Sequence, residues 1–426
     1  MIDRKTAPAL NTINCPQVPD ARVVALDNGA TLHILTSGTQ NVVKLDIVLG
    51  AGTTKSAKPL VANATNTLTA EGTRSYASVQ VSEIFDSYGA YIWQNTSTRH
   101  AVLSVCSLTR YFSHIMPVLD EVVRQPVFPQ SELDLYLART RQEMMIEMQK
   151  PGVMAARAMR RHYYRPGSRH DRVAELVDYD RVSRADLVGF HSECYRPADA
   201  HIFVSGRPDA HVIDSIADRF GSRWQGGAAV PADACVDDTP APNFGRINVD
   251  VAEASQTSIK MALPVVGRRH PDFIGLSILS TILGGYFGSR LMKNIREEKG
   301  LTYGIGSSIQ TTETCGTLSV TSSVKSDLSE QALSEIYAEV ERLRTEPVGV
   351  DELTNVSNYL RGEMLRSLDG AFATSDQIRG LTMAGVDPAR YFADFYSTLA
   401  AITPARVQEL AVQYLVPSEF RVVMAG

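Results

Sequence analysis

LGGYFGSRLMKNIREEKGLTY, residues 283–303, closes an apolar-periodic run with an arginine and a tyrosine seven positions apart, Arg296 and Tyr303. The periodicity predicts one helix over residues 274–295, with Gly300 breaking the chain before a strand hairpin over residues 307–323. Gly284 and Gly285 fall inside the helical pattern, where glycine costs stability, so a kink or a tight packing contact is expected there.

Working outward, the chain reads as two similar parts. Leu103-Ser104-Val105 recurs as Leu318-Ser319-Val320, and Tyr88-Gly89 recurs as Tyr303-Gly304, both at an offset of 215 residues. Pro197 matches Pro417 and Gly206 matches Gly426, both at an offset of 220. Each part ends in a helix-like and then a strand-like segment, RADLVGFHSECYRPADAHIFVSG and PARVQELAVQYLVPSEFRVVMAG. Several matches at a near-constant offset predict an internal duplication. The Ala-, Pro- and Gly-rich stretch at residues 226–245 lacks an apolar period and reads as a linker between halves at 1–225 and 246–426.

Within the first half, ATLHILTS and VVKLDIVL read as strands, residues 60–70 and 79–87 as helices, and residues 90–109 as an antiparallel pair turning near 95–97. Ser131 is a candidate cap for a long helix ending at Pro151-Gly152, with another helix after it. Ser183, followed by Asp186, and Thr403-Pro404 are candidate helix starts. In the second half, strands are expected at residues 247–251 and 256–264, and long helices at 328–343 and 350–367. Elements that cluster rather than alternate predict an α+β fold with mostly antiparallel sheets.

Composition narrows the function classes. The 426 residues are 44% hydrophobic and 21% charged with a net charge of −5, so no basic footprint points to nucleic acid or anionic lipid. No run of about 18 apolar residues predicts a membrane span. The N-terminal twenty residues lack a secretory apolar core and read as an extended arm, giving a cytoplasmic expectation. The five cysteines, Cys15, Cys106, Cys194, Cys235 and Cys315, are scattered and form no CxxC, which argues for reduced structural thiols. Nine histidines include no His-x-x-x-His pair; His162 and His170 lie in the arginine-rich run RRHYYRPGSRHDR without a supporting ligand cluster. Neither a phosphate-binding glycine loop nor a nucleophile elbow is found.

The order Arg296, Glu297-Glu298-Lys299, Gly300-Leu301, Thr302, Tyr303 resembles the C-terminal-half motif of the insulinase/pitrilysin-like zinc peptidases. The resemblance extends at pattern level from about Arg22 through both halves. It implies two duplicated halves, each a mostly antiparallel sheet covered by helices, facing each other as a clamshell around a cleavage chamber. It also implies that Arg296 and Tyr303 hold substrate and stabilise the oxyanion, and that Gly284 and Gly285 line the chamber. An inverted His-x-x-Glu-His motif on an N-half helix supplies the family's zinc ligands and general base. Here Glu71-Gly72-Thr73 marks the family position, and counting back places Asn63, Asn66 and Thr67 where His, Glu and His stand. Amide and hydroxyl oxygens are poor zinc donors, and an amide cannot take up a proton. Glu147, near the third-ligand position, reads as a relic or a surface charge.

By this resemblance the chain is similar to the zinc-free subunit of heterodimeric members such as mitochondrial processing peptidase. The implied partners are a homologous zinc-bearing subunit and an extended peptide, with no cofactor in this chain and zinc in the partner. Catalysis is expected only with that partner. An inert scaffold, like the family-fold core proteins of a respiratory complex, and a stand-alone peptide-binding protein are the other readings of the same residues.

Overall fold

The computed structural model describes residues 16, 18–226, 240–242, 245–312 and 315–426. Most of the expected arm and linker, together with Cys15 and Cys235, lies outside the described residues.

The first half builds a six-stranded sheet from β1 (Arg22–Ala25), β2 (Thr31–Thr36), β3 (Val42–Leu49), β4 (Tyr91–Thr96), β5 (Ala101–Leu108) and β6 (His201–Gly206), in the order β1-β2-β6-β3-β5-β4. The second half builds a five-stranded sheet from β7 (Gly245–Val249), β8 (Gln256–Val266), β9 (Thr302–Thr311), β10 (Cys315–Lys325) and β11 (Arg421–Ala425), in the order β7-β11-β8-β10-β9. Without β1 the two orders are identical. In each, one parallel pair (β2 with β6, β7 with β11) is set among antiparallel neighbours. The duplication expected from the repeated tripeptides is therefore a duplication of topology. Leu103 and Val105 pair with Ile47 and Leu45 on β3, as Leu318 and Val320 pair with Leu263 and Met261 on β8.

The helices repeat as well. The first half has α1 (Val61–Leu68), α2 (Ser78–Ser87), α3 (Phe112–Arg124), α4 (Gln130–Glu147), α5 (Pro151–Tyr163), α6 (Arg184–Cys194) and α7 (Ala210–Ala217). The second has α8 (Phe273–Ser280), α9 (Ser329–Thr345), α10 (Val350–Ser367), α11 (Gly370–Met383), α12 (Pro388–Ala401) and α13 (Pro404–Tyr414). Ser183 caps α6 by accepting from Asp186 N, while Asp186 Oδ2 accepts from Ser183 N (2.8 Å). Thr403 caps α13 through Arg406 N, with Pro404 in its first turn. Ser131 is not a cap: α4 starts one residue earlier, behind Pro129, and no side chain caps it.

One face of each sheet packs on its own half's helices. The other face is covered by a helix from the opposite half, and this closes the clamshell. Helix α5 lies on β8 and β11, and helix α11 lies on β6 and β2. Strand periodicity explains the exchange. On β11, Val422 and Met424 enter the large second core, while Val423 and Ala425 pack with Ala155 of α5. On β3, Val43, Leu45, Ile47 and Leu49 enter the first core, which turns Lys44 and Asp46 toward α11.

These two charges are buried, and the opposite half neutralises them. Lys44 Nζ lies 2.6 Å from Asp376 and 3.3 Å from Asp46; Arg379 reaches Asp46 at 3.1 Å and Asp376 at 3.0 Å. Ser104 Oγ donates to Asp46 Oδ1 (2.5 Å). Nearby, His33 on β2 stacks on Phe203 (4.2 Å between ring centroids), with its Nε2 3.1 Å from His201 Nδ1. Burial and the neighbouring His201 push His33 down to about 4.

Two outcomes follow for stability. Asp46→Ala strands Lys44 and Arg379 without their buried carboxylate and should cost about 3 kcal/mol in urea unfolding. Between pH 6.5 and about 4 the unfolded chain binds a proton that native His33 refuses, so stability should fall as pH drops through that window, and His33→Phe should flatten the slope.

Candidate functional site

The helix at the expected zinc position is α1. Its second turn buries Asn66 completely, and the side chain is fully engaged. Asn66 Nδ2 donates to Asn95 O (2.9 Å) and Thr96 Oγ1 (3.0 Å), while its Oδ1 accepts from the buried Tyr195 hydroxyl (3.2 Å). Asn66 therefore ties α1 to the β4–β5 turn and to the end of α6. Thr67 lies beside Tyr136 of α4, and Asn63 is exposed. Glu147 pairs with Lys150 (2.5 Å) at the surface, and Glu143 faces Arg139 (3.7 Å). These groups do not fit a zinc ion: the central amide spends its donor and its acceptor on the protein, and neither acid converges on it. Among the described residues no group of three His, Cys, Asp or Glu could hold a metal. Burial pushes the Cys194 thiol up to about 11, as expected of an inert core thiol.

The segment at residues 283–303 departs from one continuous helix. From α8 the chain passes into a wider π-type turn at Thr281–Gly285, becomes extended at Tyr286, and resumes helical winding at Met292–Glu298. Gly284 is buried, and a Cβ there would stand 2.6 Å from Ser307 N, so close packing on β9 demands the glycine; Gly285 is exposed beside it. The second winding buries Met292, Asn294 and Ile295, with Asn294 Nδ2 donating to Glu339 (2.7 Å). It ends on Gly300, whose φ of 62° allows Leu301 N to reach back six residues to Ile295 O (2.9 Å) and close the wide winding.

This packing leaves Arg296 on the outer side, with its guanidinium 4.6 Å from the ring of exposed Phe287. Tyr303 lies near the start of β9, the last strand in the sheet order, where pairing with β10 slips between Ser322 and Val324. Thr302 holds the irregularity: its Oγ1 donates to Ser323 O (2.7 Å) and accepts from Gly304 N (3.1 Å). Tyr303 is 94% exposed, and its hydroxyl has no hydrogen-bond partner among the described residues. A tyrosine so exposed gains almost nothing from burial, which sets it apart from the other aromatics of the second core.

The repeat shows why. Gly89 (φ 59°) and Gly300 (φ 62°) both end helical segments two residues before a strand. The structure thus matches Gly89 with Gly300, where counting by the tripeptides matched it with Gly304. Strand β4 has six residues and β9 has ten, so Tyr303 sits on a strand lengthened relative to its counterpart.

Residues 181–360 match the family described as peptidase M16 inactive domain. The chain is similar to an uncharacterized zinc protease of Rickettsia felis, 22% identical over 316 residues, covering 72% of this chain and 74% of that protein. An uncharacterized zinc protease of Mycobacterium leprae is 31% identical over 156 residues, 35% of this chain and 33% of that one. A solved peptidase M16 inactive domain from Pseudomonas fluorescens superposes with a TM-score of 0.87 at 22% identity, over 96% of this chain and 98% of that one. A protease from Helicobacter pylori superposes with a TM-score of 0.86 at 14% identity, over 96% and 99%. These likenesses establish the clamshell fold and support the M16, insulinase-like family with a peptidase-like scaffold. No helix among the described residues is long and apolar enough to cross a membrane.

Asn66 has a structural role. Asn66→Ala strands the Tyr195 hydroxyl and should lower stability by about 2 kcal/mol in thermal or urea unfolding. Added zinc should leave the melting temperature of the parent chain and of the variant unchanged.

Proposed function

We propose that this chain is the zinc-free subunit of a two-chain metallopeptidase, presenting Arg296 and Tyr303 to an extended peptide that a homologous zinc-bearing subunit cleaves. The observation that carries the reading is the contrast between the two motif positions. Asn66 is closed into the fold, whereas Tyr303 is held outward at a strand irregularity with its hydroxyl open.

The chemistry suits that division. A tyrosine hydroxyl fixed on a strand is a preorganised donor for the oxyanion that forms as a peptide bond is attacked. The Arg296 fork suits a carbonyl or carboxylate of the same peptide, and its seat on Phe287 limits the rotamers it must give up on binding. No strand pairs with the outer edge of β9 among the described residues, and an extended peptide can add there by main-chain hydrogen bonds. Gly285, exposed beside the same strand, leaves room for a backbone to approach; buried Gly284 serves by letting the helical segment lie close on β9. The water-activating metal belongs to the partner chain.

The test mixes this chain with its zinc-bearing homologue and follows peptide hydrolysis. Tyr303→Phe should lower kcat about 100-fold, and Arg296→Ala should raise KM, while light scattering shows the complex intact. Unchanged turnover with both variants would assign the chain to a scaffold role.

A further inference from the structure

The two sheets can be laid over one another residue by residue, and one matched position then differs in its partners. The repeated Leu103 and Leu318 pair with Ile47 and Leu263. Three positions before each of these last two stands a lysine, Lys44 on β3 and Lys260 on β8. Lys44 is neutralised twice, by Asp46 on its own strand (3.3 Å) and by Asp376 of α11 (2.6 Å). Neither acid has a counterpart around Lys260. The position matching Asp46 is Ala262, and α5, which covers the second sheet, has no Asp or Glu in its sequence PGVMAARAMRRHY.

The five strands of the second sheet contain no acid either. Their other bases are engaged: Arg246 with Glu330, Lys325 with Asp327, and Arg421 with the Ala241 carbonyl. The Lys260 ammonium has no carboxylate within ion-pair distance among the described residues. It is half-buried, and burial alone pushes it below the ordinary lysine range. A lysine so placed loses hydration without gaining an ion pair, a cost that a carboxylate beside it would relieve.

Its place on the sheet indicates where such a carboxylate would come from. Helix α5 lies on β8 and β11, whereas Thr321 and Ser323 on β10 are exposed. Lys260 stands at that border, paired with Val423 of β11 on one side and Thr321 on the other. Thr321 pairs in turn with Gly306 of β9. From Lys260 to the sheet edge the row therefore carries nothing larger than threonine across two strand spacings, about 10 Å. The next position of β10 on this face, Ser323, lies opposite Tyr303 and Gly304, and a Cβ on Gly304 would meet nothing within 4 Å. An open, acid-free stretch of sheet thus joins Lys260 to Tyr303.

From this arrangement we propose that Lys260 is the seat for a carboxylate of the bound peptide, an acidic side chain or the C-terminal group, and makes the chain selective for peptides that carry one. The seat presupposes that an extended peptide lies along β9, as proposed for Tyr303. An ammonium is a compact point charge that suits either kind of carboxylate.

The test measures fluorescence anisotropy with the full chain alone and labelled peptides of one uncharged, alanine- and threonine-rich sequence. These are the C-terminal amide, the amide with one glutamate at each position in turn, and the acid-free peptide with a free C-terminus. A carboxylate-bearing peptide should bind about tenfold more tightly than the acid-free amide, as a charge-assisted hydrogen bond provides. Lys260→Met keeps the apolar stem and should melt no lower than the parent. It should abolish the preference while leaving the affinity for the acid-free amide unchanged, and Lys260→Arg should keep the preference. Tighter binding of a glutamate peptide identifies a side chain as the source, and tighter binding of the free C-terminus identifies the chain end. Equal binding of all the peptides, or a preference that survives in Lys260→Met, overturns the role of Lys260 and leaves the reading of Tyr303 standing. Binding of none of them overturns both.

Discussion

Each half of this protein has a sheet with two faces to bury and helices enough of its own for only one. The deficit is met by exchange, with α5 covering the second sheet and α11 the first. Strands β6 and β11 show the result most directly, since nearly every residue on both is buried whichever face it points to. Separating the halves would expose Val423 and Ala425 on one side and Lys44 and Asp46 on the other. The two seats differ in kind. Full burial of a side chain such as Val423 is worth roughly 1.5–3 kcal/mol. The ionic seat gains Coulombic energy but loses hydration, so its net contribution is smaller while its geometric demand is greater. The apolar seat holds the halves together, and the ionic seat fixes where α11 rests.

On that frame two places, one in each half, contrast. In the N-half, helix α1 is a structural node through Asn66. The C-half hairpin has a long, irregular strand that turns a large aromatic to solvent at no evident gain in stability. A local departure from good packing of this kind points to function more strongly than a well-buried motif does. Asn66 shows the opposite pattern, a polar group whose donor and acceptor are both satisfied inside the core.

Much of this was legible in the sequence because it is local. VVKLDIVL is strand β3 residue for residue, residues 350–367 are α10, and the Ser183–Asp186 and Thr403–Pro404 signals mark true helix starts. What escaped is non-local. Nothing local marks Lys44 and Asp46 as buried charges, and only α11, more than 300 residues later, makes them so. The expected helix over residues 274–295 breaks at Tyr286, because its apolar pattern continues across a segment whose backbone is set by packing on β9. The tripeptide repeat placed Tyr303-Gly304 opposite Tyr88-Gly89, since sequence counting cannot see that β9 is longer than β4.

The central claim is that this chain holds peptide without a metal of its own. The most direct measurement is the affinity of the purified chain for an extended peptide before and after exhaustive chelation, with zinc content determined alongside. The account predicts no stoichiometric zinc and an affinity unchanged by chelation. One tightly bound zinc per chain, with binding lost on its removal, would contradict it.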